Sequence, residues 1–401
     1  DVTARLDVPL VVAAPAGPER PLNAAELAGF EAAWQRWDAF LTFVVKHIAR
    51  DGAGEELRLA LNEVLISARY DIAAILAGEP AGPDPVQALF VQSWERLAPV
   101  LREMQTGLPG EAAVRYSSFI AAADALRGIQ SLGPGAGIDL SADGLRRLAR
   151  IIAPVDPADP LGRDEAVDAE LRELMGFGPP IARPQNAGGA GLLERFVGAA
   201  YAAARVDPVL VVKLNRWVPT FRNIDGYLPL ADELLGQIAD FTVVEKRIPA
   251  EHHEMFRHLL RATAWKESCW RQYVRNGGEI APLTSIIGAL GMMQVNPATW
   301  RGFYEVDGLA GDIGYNARAG ADILAHYLVH YSIRKGEDKH GIEDALARAT
   351  YAVYNGGPSH LRRYRSKGTK RSLRQIDAAF YEMYQTIAAG KIQAVSSCYS
   401  D

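Results

Sequence analysis

The sequence predicts a mainly α-helical protein. Apolar residues recur at steps of three and four through most of the chain, as they do on the buried face of a helix. Short connections rich in glycine and proline separate these stretches, and the only obvious alternating β-branched run is at residues 9–14. With 401 residues, 49% of them apolar, the chain can form two or three domains with sizeable cores.

The first predicted helix follows Asn23, which is spaced from Glu26 as in a capping box, and continues to about Ile48. A second amphipathic stretch spans about residues 55–77. Because the connections between such stretches are short, neighbouring helices are expected to pack together. The pattern favours an N-terminal helical bundle or helical array over residues 1–178, and no fixed-period repeat indicates a regular solenoid.

The third predicted helix has Asp84 at its N-cap and Pro85 at its first position, and Pro99 is expected to kink or end it. The other helical patterns in this half lie near residues 111–129, 141–153 and 163–175.

A change of composition marks the end of the first domain. Five glycines and three prolines lie between residues 176 and 191, a composition that disfavours both helix and strand, so a linker is predicted at 179–191. Helical patterns near 192–205 and 229–246 form a connecting segment, 192–250, that is expected to pack with the C-terminal domain, 251–401.

Charge and composition exclude some functions. The 43 basic and 48 acidic residues give a net charge of −5, which argues against general binding of nucleic acid. No apolar stretch is long enough for a transmembrane segment. Cys269 and Cys398 are enough for one disulfide if the protein is exported, and two buried free thiols are the alternative.

One acidic residue ends an apolar helical stripe. In a helix beginning near Pro249, Phe256, Leu260, Thr263, Ala264 and Glu267 share a face. Burial raises the pKa of a carboxyl group, so Glu267 could stay protonated and donate a proton to a leaving oxygen. The alternative is a surface glutamate that closes the last turn of the helix.

Two further motifs follow. In residues 288–297, glycines permit a tight turn, and Met293 and Gln294 could form the wall of a sugar cleft. In residues 351–358, a helix beginning at Ile342 is expected to stop at Asn355, which fixes Tyr354 at a helix end. Helix capping alone would also explain the second motif.

Together these motifs resemble the family 1 lytic transglycosylases, whose soluble-lytic-transglycosylase domain has a goose-lysozyme-like helical fold. The resemblance covers roughly residues 250–390. It depends on Glu267-Ser268 at a helix end, Gly291-Met292-Met293-Gln294 ending at Pro297, a helix from Asn316 to Leu328, and Tyr354-Asn355-Gly356-Gly357-Pro358.

The resemblance implies a lyase that acts on peptidoglycan without a cofactor or a metal. It would cleave the β-1,4 bond between N-acetylmuramic acid and N-acetylglucosamine, with Glu267 as the single general acid and base. The 6-hydroxyl of the muramic acid would attack in place of water and give a 1,6-anhydromuramic end. One carboxyl group suffices because the substrate supplies its own nucleophiles.

The resemblance also implies substrate-binding residues. Ser285 would contact the acetamido region, Met293 and Gln294 would line the glycan subsites, and Tyr354 would lie near the scissile bond. Asn355 is a more structural candidate, and Glu382 would match a later glutamate in the cleft. An insertion at 271–282 lengthens the interval between Glu267 and Ser285 and is expected to reshape one lip of the cleft.

Two other functions remain open. A goose-type muramidase would cleave the same bond with water, and a weakly active peptidoglycan-binding scaffold would serve a cell-envelope assembly. Each reading places the protein in the periplasm or at the cell envelope. Another envelope protein could bind the N-terminal helices, which could instead restrict access to the cleft or widen the glycan footprint.

Two features near the C-terminal end can be explained without assigning them a function. His326 and His330 have a spacing that can bind metal, but the glutamate of a zinc hydrolase motif is missing, so solvent-facing histidines are expected. The basic run at 362–371 is expected to be a solvated loop or a local grip on anionic peptide stems or wall polymers.

Overall fold

The computed structural model describes residues 19–52, 54–82, 84–130, 141–162, 166–182 and 206–399. These residues form two compact units. One contains the described residues before 163 together with Glu170–Gly178, and the other contains Ala166–Ala169 and the described residues from 179 onwards. The last boundary between the units along the chain follows Gly178. The predicted domain limits stay a prediction, because most of the linker and the expected helix at 192–205 lie outside the described residues, as does the candidate strand at 9–14.

The first unit is built from helices whose bounds follow the apolar periodicity. They are α1 (Ala24–Asp51), α2 (Glu55–Leu76), α3 (Pro85–Gln105), α4 (Gly110–Gln130) and α5 (Ala142–Ile152), followed by most of the short α6 (Ala169–Leu174). Each of α1 to α5 packs against the next in sequence, and α5 also packs against α1. These contacts close a helical bundle within the described residues.

Local signals explain where these helices begin. Asn23 accepts hydrogen bonds from the N–H groups of Ala25 and Glu26, and the Glu26 carboxylate accepts from the Asn23 N–H, so the predicted capping box is present. Asp84 caps α3 as expected. Pro99 does not end α3, which continues to Gln105. Buried residues on both sides of Pro99, such as Leu97 and Leu101, hold the helix despite the lost backbone donor.

The second unit is also mainly helical. Its α-helices are α7 (Pro208–Leu214), α8 (Ile224–Glu245), α9 (His253–Ser268), α10 (Val306–Gly311), α11 (Ile313–Tyr327), α12 (Ala345–Gly356) and α13 (Arg371–Ala388). A π-helical segment, Leu328–Ile333, continues α11, and short 3₁₀ segments lie at Ala250–His252, Glu337–His340, Pro358–His360, Arg363–Arg365 and Ile392–Cys398.

Helix α9 lies at the centre of this unit, since it packs against α8, α11, α12 and α13. Its predicted apolar face is confirmed: Phe256, Leu260, Thr263 and Ala264 have no exposed surface. Burial of this stripe fixes the rotation of the helix about its axis and therefore the direction in which Glu267 points.

The insertion at 271–282 is a β-hairpin. Strand β1 (Tyr273–Asn276) pairs antiparallel with β2 (Glu279–Pro282), with Tyr273 opposite Pro282. Gly277 and Gly278 both have positive φ, at 58° and 90°, which a two-residue hairpin turn of the right twist requires. This hairpin was not predicted from the sequence, because strands of four residues are too short for alternation to be visible.

Among the described residues, no helix combines the length and the apolar character that a membrane span requires.

Candidate active site

Glu267 lies in the last turn of α9 and retains partial solvent exposure. Its carboxyl group is nevertheless surrounded by enough protein that burial raises its pKa above the ordinary value. A hydrogen bond from Tyr351 and the positive charges of Lys266 and Arg363 oppose this effect without cancelling it. The side chain is therefore a carboxylic acid that can hold its proton closer to neutral pH than a free glutamate does.

Tyr351 is the direct partner of this carboxyl group. Its hydroxyl donates to Glu267 Oε1 at 3.0 Å, and the side chain is almost fully buried on α12. No carboxylate is among the groups that shift the pKa of Glu267 in the described part of the chain. Glu279 is exposed on β2, and Asp312 caps α11 by accepting from the Tyr315 N–H.

A loop at 290–294 is held next to the end of α9 by buried polar side chains. The Ser268 hydroxyl donates to the Met292 carbonyl at 2.6 Å. Gln272 accepts from the Met292 N–H at 2.9 Å and Asn316 accepts from the Met293 N–H at 2.8 Å, and both amides have no exposed surface. Because these bonds satisfy buried backbone groups, the loop has a fixed position beside Glu267.

The glycine of this loop has no room for a side chain. Gly291 has φ of +70°, and a Cβ atom there would overlap the amides of Gln272 and Asn316. Close approach of two side-chain amides to the backbone is the physical reason for glycine at this position.

The structure brings Tyr354 and Met293 together. The Tyr354 hydroxyl donates to the Met293 carbonyl at 2.6 Å, which ties α12 to the loop. The Met293 side chain has no exposed surface and packs against Gly320, so contact with a sugar would require movement, and its assignment to a subsite stays a prediction. Gln294, with φ of +48°, is partly exposed and donates to the Gly291 carbonyl.

The other predicted binding residues form hydrogen bonds, in the described structure, with groups other than Glu267. Ser285 closes a turn, its hydroxyl accepting from the Ala289 N–H. Asn355 accepts from the Arg363 guanidinium at 3.1 Å, a structural role. Glu382 is exposed on α13. Binding roles stay predictions for Ser285, Gln294, Tyr354, Asn355 and Glu382.

The basic run is only partly a solvated loop. Arg363 is buried and donates to both oxygens of Asp377, and Arg365 donates to both oxygens of Glu337, which has no exposed surface. These two guanidinium groups hold the 3₁₀ segment to its neighbours. Arg362 also lies within 3.9 Å of Glu337, whereas Lys367 and Arg371 are exposed, and the grip on anionic groups stays a prediction.

The expectation of solvent-facing histidines is wrong for His326. Every residue of α11 is buried, so this helix has no solvent face, and His326 is 5% exposed. Its ring lies 4.7 Å from that of His330. Burial lowers the pKa of His326 well below its ordinary value, which keeps the ring neutral. The described residues contain no group of three or more potential ligands placed to hold a metal ion.

A disulfide follows the acid directly. Cys269, two residues after Glu267, is bonded to Cys398, so the open question of bridge or free thiols is answered in favour of the bridge. Cys269 and Trp270 both have left-handed backbone conformations, with φ of 56° and 63°. The hydroxyls of Tyr399 and Tyr227 donate to the carbonyls of Cys269 and Trp270, each at 2.5 Å.

Sequence reasoning missed two residues of the site. Tyr351 opens the quoted motif at 351–358 and lies three residues before Tyr354, so both point to one face of α12. This spacing was the signal in the sequence that could have identified Tyr351 as a residue of the site. Gln272 lies in the insertion, and nothing in the sequence relates it to Met292.

Comparison with protein families gives one match: residues 247–376 match the family model described as "Transglycosylase SLT domain". Comparison with curated proteins and with solved structures gives no match. The matched residues make up about a third of the chain and contain Glu267, the loop at 290–294 and Tyr354. Residues 247–376 therefore form a transglycosylase SLT domain, the lysozyme-like domain of the family 1 lytic transglycosylases, which supports a transglycosylase-type function acting on peptidoglycan.

Proposed function

We propose that the protein is a peptidoglycan lytic transglycosylase that cleaves the β-1,4 bond between N-acetylmuramic acid and N-acetylglucosamine without water. The observation that carries the proposal is the half-buried Glu267, a single carboxyl group with a raised pKa inside the SLT domain. Enzymes that cleave glycosides with two carboxylates use the second as nucleophile or base. Asp377, the other carboxylate that acts on Tyr351, is paired with Arg363, and Glu279 is exposed on β2.

The reaction needs one protein group in two protonation states. Protonated Glu267 donates to the glycosidic oxygen as the bond to the anomeric carbon breaks, and the 2-acetamido group of the muramic acid assists. The resulting carboxylate then accepts the proton of the 6-hydroxyl as that oxygen attacks the anomeric carbon. The product is a 1,6-anhydromuramic end, and Glu267 regains its proton for the next turnover.

The disulfide supports a location outside the cytoplasm. Disulfides persist in oxidising compartments and are rare in the cytosol. The bond between Cys269 and Cys398 is accordingly what a protein of the periplasm or the cell envelope would carry, and peptidoglycan lies in the same place.

The proposal is tested by mass spectrometry of muropeptides released from purified peptidoglycan. The variants are Glu267→Gln and, as a control on the same helix, Glu254→Gln, which changes an exposed glutamate in the first turn of α9. Glutamine keeps the size of the side chain and can still accept from Tyr351, so the fold is expected to remain. We expect Glu267→Gln to lower turnover by at least about 100-fold.

The products distinguish the functions. Anhydromuramic ends from wild type and Glu254→Gln, with none from Glu267→Gln, support the transglycosylase. Reducing ends, heavier by one water, would replace it with a muramidase. No release by folded wild type would favour a peptidoglycan-binding scaffold, and undiminished release by Glu267→Gln would remove this residue from the mechanism.

A further inference from the structure

The side chain of Tyr351 is held in place by packing. The ring is 1% exposed and stacks on Phe380 of α13, with ring centroids 3.9 Å apart and planes inclined by 5°. Phe380 is itself 1% exposed. Because two packed rings leave little rotamer freedom, the entropy of fixing the hydroxyl is lost on folding and not during catalysis.

The two stacked rings come from different parts of the chain. Tyr351 lies on α12 inside the family match, whereas Phe380 lies beyond its last residue, 376. Helix α13 packs against both α9 and α12. Helix α13 therefore supports the side chain of Tyr351, which contacts Glu267.

We propose that Tyr351 is a positioning residue for Glu267: its hydroxyl occupies Oε1, so that Oε2 carries the proton that is delivered to the glycosidic oxygen. This inference rests on the proposed function. A protonated carboxyl group has one donor oxygen and one acceptor oxygen, and a hydroxyl donor at 3.0 Å from Oε1 assigns the acceptor role to that atom. The same bond persists when Glu267 is ionised and then favours the carboxylate.

Tyr351 stays a donor throughout, because burial and the neighbouring Glu267 raise its own pKa well above the ordinary value for tyrosine. The charged groups around the pair come from several elements. Lys266 on α9 and Arg363 of the 3₁₀ segment favour the ionised form of Glu267, and Asp377 on α13 acts on Tyr351. Arg363 forms an ion pair with Asp377 that does not involve the Tyr351 hydroxyl, so Tyr351→Phe leaves this ion pair in place.

The predicted pH effect has a definite sign. The hydrogen bond from Tyr351 lowers the pKa of Glu267, so its removal raises that pKa. Catalysis by the free enzyme requires the protonated acid, and kcat/KM falls as pH rises through the pKa. Tyr351→Phe should therefore move the upper limb of the pH profile to higher pH, by less than about one unit.

The experiment compares Tyr351→Phe with Tyr304→Phe. The control removes a buried hydroxyl that donates to a different carboxylate, Asp322 Oδ2, at 2.9 Å. In each protein, the Glu267 carboxyl carbon is titrated by NMR after selective labelling of glutamate, and Glu267→Gln identifies the signal. The pH dependence of kcat and KM on a glycan fragment is measured in parallel.

For Tyr351→Phe we expect a raised Glu267 pKa, a fall in kcat of roughly tenfold at the pH optimum, and a KM that changes by less than about twofold. Tyr304→Phe should leave the pKa unchanged. An unchanged pKa in Tyr351→Phe, or an equal rise in both variants, would overturn the proposal.

A second variant changes Phe380, the residue that packs against the Tyr351 ring. Phe380→Leu keeps the hydroxyl but loosens its support, and it should raise the pKa of Glu267 by a smaller amount. If Tyr351→Phe does not fold, the absence of a rise in Phe380→Leu contradicts the positioning role. The NMR titration needs no substrate, so it tests this inference even if wild type fails to release anhydromuramic products.

Discussion

At the scale of single residues, the candidate site depends on close packing around Gly291, which leaves no room for a side chain there. Gly291 occupies a left-handed backbone conformation between the amides of Gln272 and Asn316, which together bind the N–H groups of Met292 and Met293. Any side chain at position 291 displaces at least one of these amides. The loop beside Glu267 would then lose hydrogen bonds that satisfy its buried backbone.

Gly291→Ala tests this reasoning against Gly288→Ala. Both glycines have positive φ, at +70° and +79°, but a Cβ atom at 288 meets nothing within 4 Å. We expect Gly288→Ala to cost about 1 kcal/mol of unfolding free energy from backbone strain alone. Gly291→Ala adds overpacking, for a total of about 2–4 kcal/mol.

The measurement is urea unfolding of the full chain, with the transition of the second unit compared between variants. Equal losses of stability at the two positions would show that the amides yield to a methyl group. In that case the loop is held by something other than Gln272 and Asn316.

At the residue scale, the local pattern predicted from the sequence is confirmed, while the catalytic role of Glu267 stays a prediction. Glu267 ends an apolar stripe, and that stripe is buried in the structure. Tyr351 and Gln272 were missed because their functions depend on partners 84 and 20 residues away, Glu267 and Met292. A single sequence contains no signal for such tertiary contacts.

At the scale of elements, the end of α9 is held by the C-terminal segment. The 3₁₀ segment Ile392–Cys398 ends at the disulfide, and Tyr399 donates to the Cys269 carbonyl at 2.5 Å. Two consecutive left-handed residues, Cys269 and Trp270, follow the helix and would relax if released. This segment therefore stabilises the backbone next to the acid.

Breaking this link should destabilise the second unit. The double variant Cys269→Ser/Cys398→Ser is expected to lose about 2–5 kcal/mol of unfolding free energy, since the bond closes a long loop of 129 residues. Activity should also fall, because Glu267 is two residues from the bridge. Denaturation curves with and without reductant measure the effect.

The double variant is also the control for the reductant. Wild type should lose stability on reduction, whereas the variant should not respond. Titration of unfolded, non-reduced wild type should find no free thiol, and two reactive thiols would contradict the bridge.

Elements were predictable where periodicity extends over several turns. Helices α1 to α3 begin within one or two residues of their predicted starts, because caps such as Asn23 and Asp84 act locally. The helix predicted from Ile342 begins at Ala345. The hairpin of β1 and β2 escaped prediction, since strands of four residues show too little alternation.

At the scale of the whole molecule, the candidate active site belongs to one unit. Glu267, Tyr351, Phe380, the loop at 290–294 and the disulfide all lie in the second unit, as does the segment Ala166–Ala169. This segment contributes a hydrogen bond from the Asp168 N–H to the Gly302 carbonyl at 2.8 Å. A fragment beginning at residue 166 therefore includes every described part of the second unit.

We expect the fragment 166–401 to fold and to cleave short glycan fragments with a kcat/KM within about threefold of the full chain, because a compact unit with its own core can fold alone. Circular dichroism and the absence of free thiols would establish its fold, and Glu267→Gln in the same fragment supplies the background. A folded fragment that has lost activity, beside an active full chain, would show that the first unit contributes to catalysis itself. Equal rates on short fragments with slower release from intact peptidoglycan would instead assign the N-terminal helices to binding of the polymer.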